Sequence, residues 1–230
     1  MILDNGNDNL KVHEWIEKYN EEGVFDLVTG YFTISALAFL AEKTNEKIEK
    51  YRFILGDIVS FDEKVKAINL LNESIDIDTA FKLSRLAREA VAFLQLNKIA
   101  IKTLEPNFCH AKLYLKTATH DGRNHYFVSG SSNLTDAGIG KKTISNIELN
   151  IAETGNNGQF KELTNWFESL WQSPKAHLKK TFLDERGKPF QKDFKQYLID
   201  EISKLFAFYS PEQIYFKILH ELLKKTKTPK

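Results

Sequence analysis

The sequence predicts an α/β protein in which a mixed β-sheet is flanked by helices and followed by a C-terminal helical extension. As far as residue 174, apolar or alternating segments typical of strands are interleaved with longer segments of helical periodicity. Hydrophobic residues make up 42% of the 230-residue chain, which suffices for a sizeable core. Beyond that residue the pattern is helical. We therefore expect one domain over residues 1–174 and a helical extension or linker over residues 175–230.

The first part of the domain alternates strands with helices. Strand patterns occupy residues 25–33 and 51–58, and helical patterns occupy residues 36–50, 61–74 and 79–95. Ser35 directly precedes the first of these helices and is expected to be its N-cap, because a serine hydroxyl can accept a hydrogen bond from a free backbone N–H. The first two helical patterns each follow a strand, as in an α/β sheet.

The second part of the chain predicts a β-hairpin and further helices. Strand patterns occupy residues 98–104, 110–117, 125–130 and 147–153. Asp121 and Gly122 lie between the second and third of these strands and are typical of a hairpin turn. Helical patterns occupy residues 157–172, 190–208 and 211–225. The first of these helices is amphipathic and directs toward the core Phe160, Leu163, Phe167, Leu170 and Trp171.

Charge is distributed unevenly along the chain. Residues 1–174 hold 19 Lys and Arg against 24 Asp and Glu, whereas residues 175–230 hold 13 against 7. The net charge is only +1, so a phosphate ligand would need a local site rather than a general electrostatic attraction. The N-terminus lacks the features of a signal peptide, and the longest apolar stretch, residues 31–41, is too short for a membrane span. With a single cysteine, these features predict a cytoplasmic protein.

Two short segments contain residues suited to phosphate chemistry. His110 and Lys112 are two apart in a strand pattern, so their side chains should project from the same face. An ammonium beside an imidazole suits an anionic ligand, and a neutral histidine can serve as a nucleophile or proton carrier. Residues 130–133, Gly-Ser-Ser-Asn, add hydroxyl and amide groups, and Gly130 is expected to let the backbone approach a ligand. Cys109 should face the opposite side as a buried structural thiol.

This arrangement resembles the phospholipase D superfamily, whose signature is His-x-Lys, four residues, Asp, and then Gly-Ser-x-Asn further on. The resemblance covers roughly residues 20–175 in the order of elements. The positions that match the signature are His110, Lys112, Gly130, Ser131 and Asn133. Glu148 stands where the superfamily has a glutamate that hydrogen-bonds the histidine and orients it. The resemblance implies catalytic roles for His110, Lys112, Ser131, Asn133 and Glu148, and substrate contacts for Gly130 and Ser132.

The sequence departs from the superfamily pattern in two respects. Thr117 occupies the position of the signature aspartate, which in the superfamily is mainly a structural partner. The chain also contains only one complete motif, whereas the superfamily's active site needs two. The segment from His177 to Asp184 matches the first part of the signature, but no Gly-Ser-x-Asn follows and it lacks strand alternation, so we treat it as a chance match. Single-motif members form homodimers whose motifs meet at a twofold axis, which implies a homodimer here.

The resemblance implies an in-line cleavage of a phosphodiester in two steps. One His110 attacks phosphorus and forms a phosphohistidine, and the partner's His110 protonates the leaving oxygen and then activates water. Lys112 and Asn133 of both subunits would stabilise the equatorial oxygens, with Ser131 assisting. No metal or other cofactor is implied, because the lysines supply the positive charge.

Three functions remain open from the sequence. The small size and single motif favour a DNA endonuclease. Residues 25–42 resemble the opening of large bacterial helicase-like proteins, and residues 210–225 resemble the stretch that follows their phospholipase D-like N-terminal domains. This resemblance implies a helicase or ATPase region that follows the domain. The chain has no phosphate loop, so we do not expect it to be an ATPase itself. The second function is a catalytically weak DNA-binding or dimerisation module of such a helicase, favoured by Thr117 and by the acidic balance of residues 1–174. The third is a phospholipase or another phosphodiesterase.

Overall fold

A computed structural model gives the architecture of the chain. It describes residues 1–5, 10–58, 77–106, 109–120, 124–142 and 146–207, with five further positions between 212 and 219. For residues 57–58, 77–83 and 205–207 it describes the backbone alone. The predicted helix over residues 61–74 and the predicted turn at Asp121 and Gly122 lie outside the described residues.

Ten strands and five helices are present in the described part of the chain. The strands are β1 (Ile2–Leu3), β2 (Gly23–Phe32), β3 (Ile48–Ile58), β4 (Ile99–Leu104), β5 (Leu113–Ala118), β6 (Tyr126–Gly130), β7 (Asn150–Thr154), β8 (Ala176–His177), β9 (Lys179–Leu183) and β10 (Pro189–Asp193). The helices are α1 (Val12–Lys18), α2 (Ile34–Thr44), α3 (Ile77–Leu94), α4 (Gly158–Gln172) and α5 (Phe194–Ala207).

Eight of the strands form one mixed sheet in the order β1-β7-β6-β5-β2-β3-β4-β8. The pairs β2–β3 and β3–β4 are parallel, and the remaining neighbours are antiparallel. The predicted mixed α/β fold is therefore confirmed. The topology brings the C-terminal ends of β2, β3, β4 and β6 to the same edge of the sheet as the N-terminal ends of β5 and β7. We call this edge the site edge.

The sheet is covered by helices on both faces. On one face α1, α2, α3 and α5 pack against the larger core cluster, which includes the fully buried Phe53 and Tyr51 of β3. On the other face α4 inserts Phe160 and Phe167 into a smaller cluster with Val28, Leu115 and Phe127. Burying both faces explains why β2 and the part of β3 from Phe53 to Leu55 are rich in apolar residues.

One charged group interrupts the smaller cluster. Asp26 is almost fully buried and accepts two hydrogen bonds of 2.7 Å from the Arg52 guanidinium, which also bonds Glu168 of α4 at 2.6 Å. Burial raises the pKa of Asp26, against the opposing effect of Arg52. This network ties α4 to the two central strands by groups that must stay paired, because an unpaired buried charge is costly.

Helix α2 begins and ends earlier than the range 36–50 that the sequence predicts. Thr33, not Ser35, is the N-cap, and its hydroxyl accepts a hydrogen bond from Ala36 N. Ser35 instead donates to Asp136 in the loop that follows β6. The helix stops at Thr44 because Ile48 starts a strand that pairs in parallel with β2, so the sheet register overrides the helical pattern of residues 45–50.

The segment after residue 175 is not purely helical, contrary to the sequence prediction. It contains β8, which pairs with β4, and an antiparallel hairpin of β9 and β10. The turn uses Gly187 at φ +75°, and α5 begins at Phe194 instead of residue 190. The segment from His177 therefore does have strand structure, which removes one of the two reasons for treating its motif match as chance. The missing Gly-Ser-x-Asn remains the other reason.

The boundary at residue 175 stays a prediction. Phe194, Leu198 and Ile202 of α5 belong to the same core cluster as β2 and β3, so this part of the extension packs on the sheet. Among the described residues, no helix combines the length and apolar character that crossing a membrane requires.

Candidate functional site

The residues singled out in the sequence meet at the site edge. His110 and Lys112 directly precede β5, residues 131–133 directly follow β6, and Glu148 lies two residues before β7. These three strands are neighbours in the sheet, and the Gly130 N–H donates to the Lys112 carbonyl at 3.4 Å. The sheet therefore assembles the candidate site from three separate chain segments, at the end of the sheet where parallel strands usually present ligand sites.

His110 and Lys112 are in direct contact, although neither belongs to a strand. The Lys112 ammonium lies 3.0 Å from Nδ1 and 3.1 Å from Nε2 of the His110 imidazole, and it donates to the His110 carbonyl oxygen at 2.7 Å. The lysine side chain is 7% exposed, whereas the histidine is exposed. The pair therefore presents an imidazole to solvent with a buried cation beneath it.

The Lys112 ammonium lies in an environment that disfavours its charge. Burial lowers the pKa of Lys112, while the nearby Glu148 carboxylate acts in the opposite direction. A partly desolvated ammonium gains more from an anionic ligand than an ammonium in water does, because charge interactions strengthen where the effective dielectric is low. Lys112 is thus prepared to bind a phosphate oxygen.

Asn133 is fixed by the end of β2. Its Oδ1 accepts hydrogen bonds from the Tyr31 backbone N–H at 3.1 Å and from the Thr29 hydroxyl at 3.3 Å. A backbone N–H can only donate, so this contact assigns the amide oxygen and leaves Nδ2 as the group available to a ligand. Thr29 also accepts from Leu134 N at 3.1 Å. Thr29 and Tyr31 position the asparagine, and nothing in the sequence pattern indicated that role.

Glu148 and Ser131 are joined to each other. The Ser131 hydroxyl donates to Glu148 Oε2, and it accepts from the Leu149 N–H at 2.9 Å. The other carboxylate oxygen accepts from Asn146 at 3.4 Å. The hydrogen bond between Glu148 and His110 that the resemblance implies is not among the contacts of the described residues. Glu148 therefore orients the serine directly and influences Lys112 through its charge.

Ser132 is a structural residue, which corrects the expectation that it contacts substrate. Its side chain is fully buried, and its hydroxyl accepts from Asn150 Nδ2 at 2.8 Å. The Ser132 N–H donates to Asn150 Oδ1 at 3.1 Å, and its carbonyl accepts from the buried Tyr114 hydroxyl at 3.1 Å. Asn150 thus holds the loop in place. No local sequence pattern marked Asn150 for this role, because its partners lie in a loop 18 residues away.

Gly130 is needed for close packing between strands, and its predicted contact with a substrate stays a prediction. A Cβ at this position would lie 2.2 Å from the Leu149 carbonyl oxygen and 2.7 Å from Asn150 Cα. The glycine lets β6 approach the start of β7 closely enough for Ser131 to hydrogen-bond Leu149 and for Ser132 to hydrogen-bond Asn150.

Cys109 has the structural role expected of it, and Thr117 lies apart from the site. Cys109 is half-buried against the smaller core cluster, and burial raises the pKa of its thiol, as suits a structural cysteine. Thr117 pairs with Val24 near the far end of β5. It is five residues beyond Lys112, about 17 Å along an extended strand, so it takes no part in the assembly at the site edge.

The assembled groups can bind and transform an anion. Neighbouring strand ends carry a cation, an imidazole, an amide donor and a hydroxyl, which belong to Lys112, His110, Asn133 and Ser131. These are donors for the equatorial oxygens of a phosphoryl group together with a group that can attack phosphorus or carry a proton. Among the described residues, no three His, Cys, Asp or Glu side chains are grouped as metal ligands.

No protein-family model and no curated protein sequence matches this chain. Among solved structures, the chain is similar to the crystal structure of polyphosphate kinase from Porphyromonas gingivalis, with a TM-score of 0.41 and 10% sequence identity. The match covers 84% of this chain and 26% of the kinase, so the chain spans about a quarter of that protein's length. A likeness of this extent carries no argument about activity.

Proposed function

We propose that this chain is a metal-independent phosphodiesterase and acts as a DNA endonuclease. The observation that supports the proposal best is the contact between the buried Lys112 ammonium and the exposed His110 imidazole, 3.0 Å apart, at the site edge. An imidazole on a cation is poorly suited to stabilising the fold but well suited to a phosphate diester, whose negative charge the cation binds while the imidazole reaches phosphorus.

The proposed reaction has two in-line steps that share a site between two subunits. In the first step the neutral His110 attacks phosphorus, a P–N bond forms, the P–O bond to the leaving group breaks, and the partner's His110 gives its proton to the leaving oxygen. In the second step the partner's His110 accepts a proton from water, the water oxygen attacks phosphorus, and the P–N bond breaks. The enzyme returns to its initial protonation state.

The remaining groups stabilise charge on the phosphoryl oxygens. Lys112 turns from the imidazole to an equatorial oxygen, and Asn133 donates through Nδ2 while its oxygen stays bonded to β2. The Ser131 hydroxyl has one hydrogen, which it donates to Glu148. It can donate to a phosphoryl oxygen only when it gives up that hydrogen bond, so Glu148 controls whether the serine is a donor to the substrate. Removing one such donor in an enzyme of this kind typically costs about 100-fold or more in rate.

An exposed apolar surface beside the site suits a second copy of the chain. It consists of five large side chains on the paired strands β1 and β7 and the residues before β7: Met1 (66% exposed), Ile2 (52%), Ile147 (90%), Leu149 (63%) and Ile151 (57%). We call it the apolar surface. Glu148 lies within it, so the surface is continuous with the site. Clustered exposed apolar residues usually mark an interface, and a twofold contact here would bring two site edges together.

A catalytically weak DNA-binding module of a larger helicase is the second candidate. It is favoured by Thr117 in place of an aspartate and by the absence of a Glu148–His110 hydrogen bond among the described contacts. Under this proposal the same groups bind a phosphate without cleaving it, and a helicase or ATPase region would follow in a longer protein.

Incubation with plasmid and with single-stranded DNA in excess EDTA tests these proposals. We expect the wild type to cut in EDTA and the His110→Ala variant to bind DNA without cutting. A Cys109→Ala variant is the matched control, because it changes a neighbouring side chain outside the site and should cut normally. If wild type and His110→Ala both bind but neither cuts, the binding module replaces the nuclease.

A further inference from the structure

The hairpin of β9 and β10 carries a concentration of positive charge. Residues 175–195 hold seven Lys and Arg against three Asp and Glu, whereas residues 1–174 are net negative. We propose that this hairpin, which we call the basic hairpin, binds the phosphate backbone of duplex DNA beside the site. The inference rests on the proposed function in taking DNA as the substrate, and it adds the surface that holds the substrate.

The cations of the basic hairpin are available to a ligand. Four of them are exposed and form no ion pair with a carboxylate of the described residues, namely Lys179, Arg186, Lys188 and Lys192, and the same holds for Lys175 just before β8. Two of the three acidic residues have structural tasks. Asp184 accepts hydrogen bonds from the Arg186 and Lys188 backbone N–H groups in the turn. Asp193 accepts a hydrogen bond from the Gln196 backbone N–H at the start of α5. These carboxylates hydrogen-bond the backbone and form no ion pair with the described cations of the hairpin.

Packing fixes the basic hairpin on the body of the protein. The Phe182 ring packs at a tilt against Tyr197 of α5, with ring centroids 4.4 Å apart, and against Phe190 across the hairpin at 5.9 Å. Glu105 accepts from the Thr181 N–H at 2.7 Å and from its hydroxyl at 2.8 Å. The cations are therefore held by an ordered element, which limits the side-chain and backbone entropy lost when a ligand binds.

The basic hairpin touches the site edge through Thr181 of β9, which is hydrogen-bonded to Glu105. Glu105 directly follows the C-terminal residue of β4, and that end of β4 lies at the same edge as His110. Three strand-to-strand steps separate β4 from β5, which amounts to about 14 Å at about 4.8 Å per step. The rise of duplex DNA is about 3.4 Å per base pair, so this spacing between β4 and β5 corresponds to about four base pairs. A two-stranded ribbon also fits the major groove.

Binding to a fluorescent 30-base-pair duplex, measured in the non-cutting His110→Ala background at several salt concentrations, tests the inference. The variant K179Q/K188Q/K192Q removes three cations of the basic hairpin. The control K47Q/K50Q/K161Q removes three exposed lysines that lie near the opposite edge of the sheet. We expect the hairpin variant to lower the slope of log K against log salt by about 2 to 3, and the control to leave it unchanged.

Each outcome has a distinct meaning. Equal slopes for the hairpin variant and the control would overturn the inference, and so would the absence of any DNA binding. A lower slope in the hairpin variant, together with a wild type that never cuts, would support DNA binding by the basic hairpin and reject the nuclease proposal. Because Leu183 is 70% exposed and Phe190 40%, phosphatidylserine vesicles are included. Hairpin-dependent binding to vesicles but not to DNA would reassign the surface to lipid.

Discussion

Lys112 is the residue whose charge decides what the site can bind. Its ammonium is buried beneath an imidazole, and burial lowers its pKa from the ordinary value of 10.5. A lysine with a lowered pKa loses its proton at a lower pH than a lysine on the surface does. The protonated form binds an anion, so anion affinity is fully present below the lowered pKa and is lost as the pH rises through it.

The first residue-scale prediction concerns this pH dependence. Sulfate has a constant charge above neutral pH, so its affinity reports the protein alone. We expect sulfate binding, measured by calorimetry from pH 7 to 10.5, to weaken before the ordinary lysine range is reached. In Lys112→Arg the affinity should stay constant over the same interval, because the guanidinium does not titrate there. An identical decline in both proteins would assign the titration to another group.

The second residue-scale prediction concerns Ser131 and Glu148. Because the serine hydroxyl donates to the carboxylate, the two side chains act as a unit, and the effects of Ser131→Ala and Glu148→Gln on kcat should not add. We expect the double variant to be no more than about threefold slower than the slower single variant. If Glu148 instead acted on His110 alone, Ser131→Ala would have its full effect in the Glu148→Gln background.

At the scale of elements, the hydrogen bonds behind the site depend on how closely β6 approaches β7. A Cβ on Gly130 would lie 2.2 Å from a backbone carbonyl oxygen that cannot move without disturbing β7. We expect Gly130→Ala to lower the free energy of unfolding by about 2 to 3 kcal/mol in urea denaturation. Gly158→Ala is the matched control, because its Cβ meets no atom within 4 Å, and it should change stability by less than about 0.5 kcal/mol. Similar losses for both would refute the packing role of Gly130.

The elements also show how far the sequence could predict the structure. The central strands and α4 were predictable because their apolar residues follow the periodicity of a fully buried strand or an amphipathic helix. The basic hairpin was not, because its strands depend on distant partners such as Glu105 and Tyr197. Its own short, lysine-rich segments carry little local preference.

The candidate site follows the same division. His110, Lys112, Ser131 and Asn133 were predictable because their residue types and spacing are visible in two short segments. The residues that hold them were not. Thr29 lies 104 positions from the asparagine it contacts, and Asn150 acts through backbone groups of a loop that the sequence does not place beside it. Positioning residues of this kind are defined by tertiary contacts, which a linear pattern does not record.

At the scale of the whole molecule, the proposed two-subunit mechanism makes the apolar surface the contact that would complete the site. Replacing two of its most exposed residues, Ile147→Glu and Leu149→Glu, places four like charges at a twofold contact and should leave the fold intact, because both side chains point to solvent. We expect sedimentation at micromolar concentration to give a dimer for the wild type and a monomer for this variant. Leu183→Glu, at an equally exposed leucine of the basic hairpin, is the control and should remain dimeric. A monomeric wild type would refute the contact.

Mixing of subunits tests whether two copies form one site. If each site needs two His110 side chains, a dimer of one wild-type and one His110→Ala subunit is inactive. Co-folding equal amounts then places half of the wild-type subunits in inactive dimers, so activity per wild-type subunit should fall to about one half. If the His110→Ala chain also carries Ile147→Glu and Leu149→Glu, it should no longer form mixed dimers with the wild type. Activity per wild-type subunit should then return to its full value. Constant activity in the first mixture would mean that each subunit cleaves with its own histidine, and the apolar surface would then serve assembly without completing the chemistry.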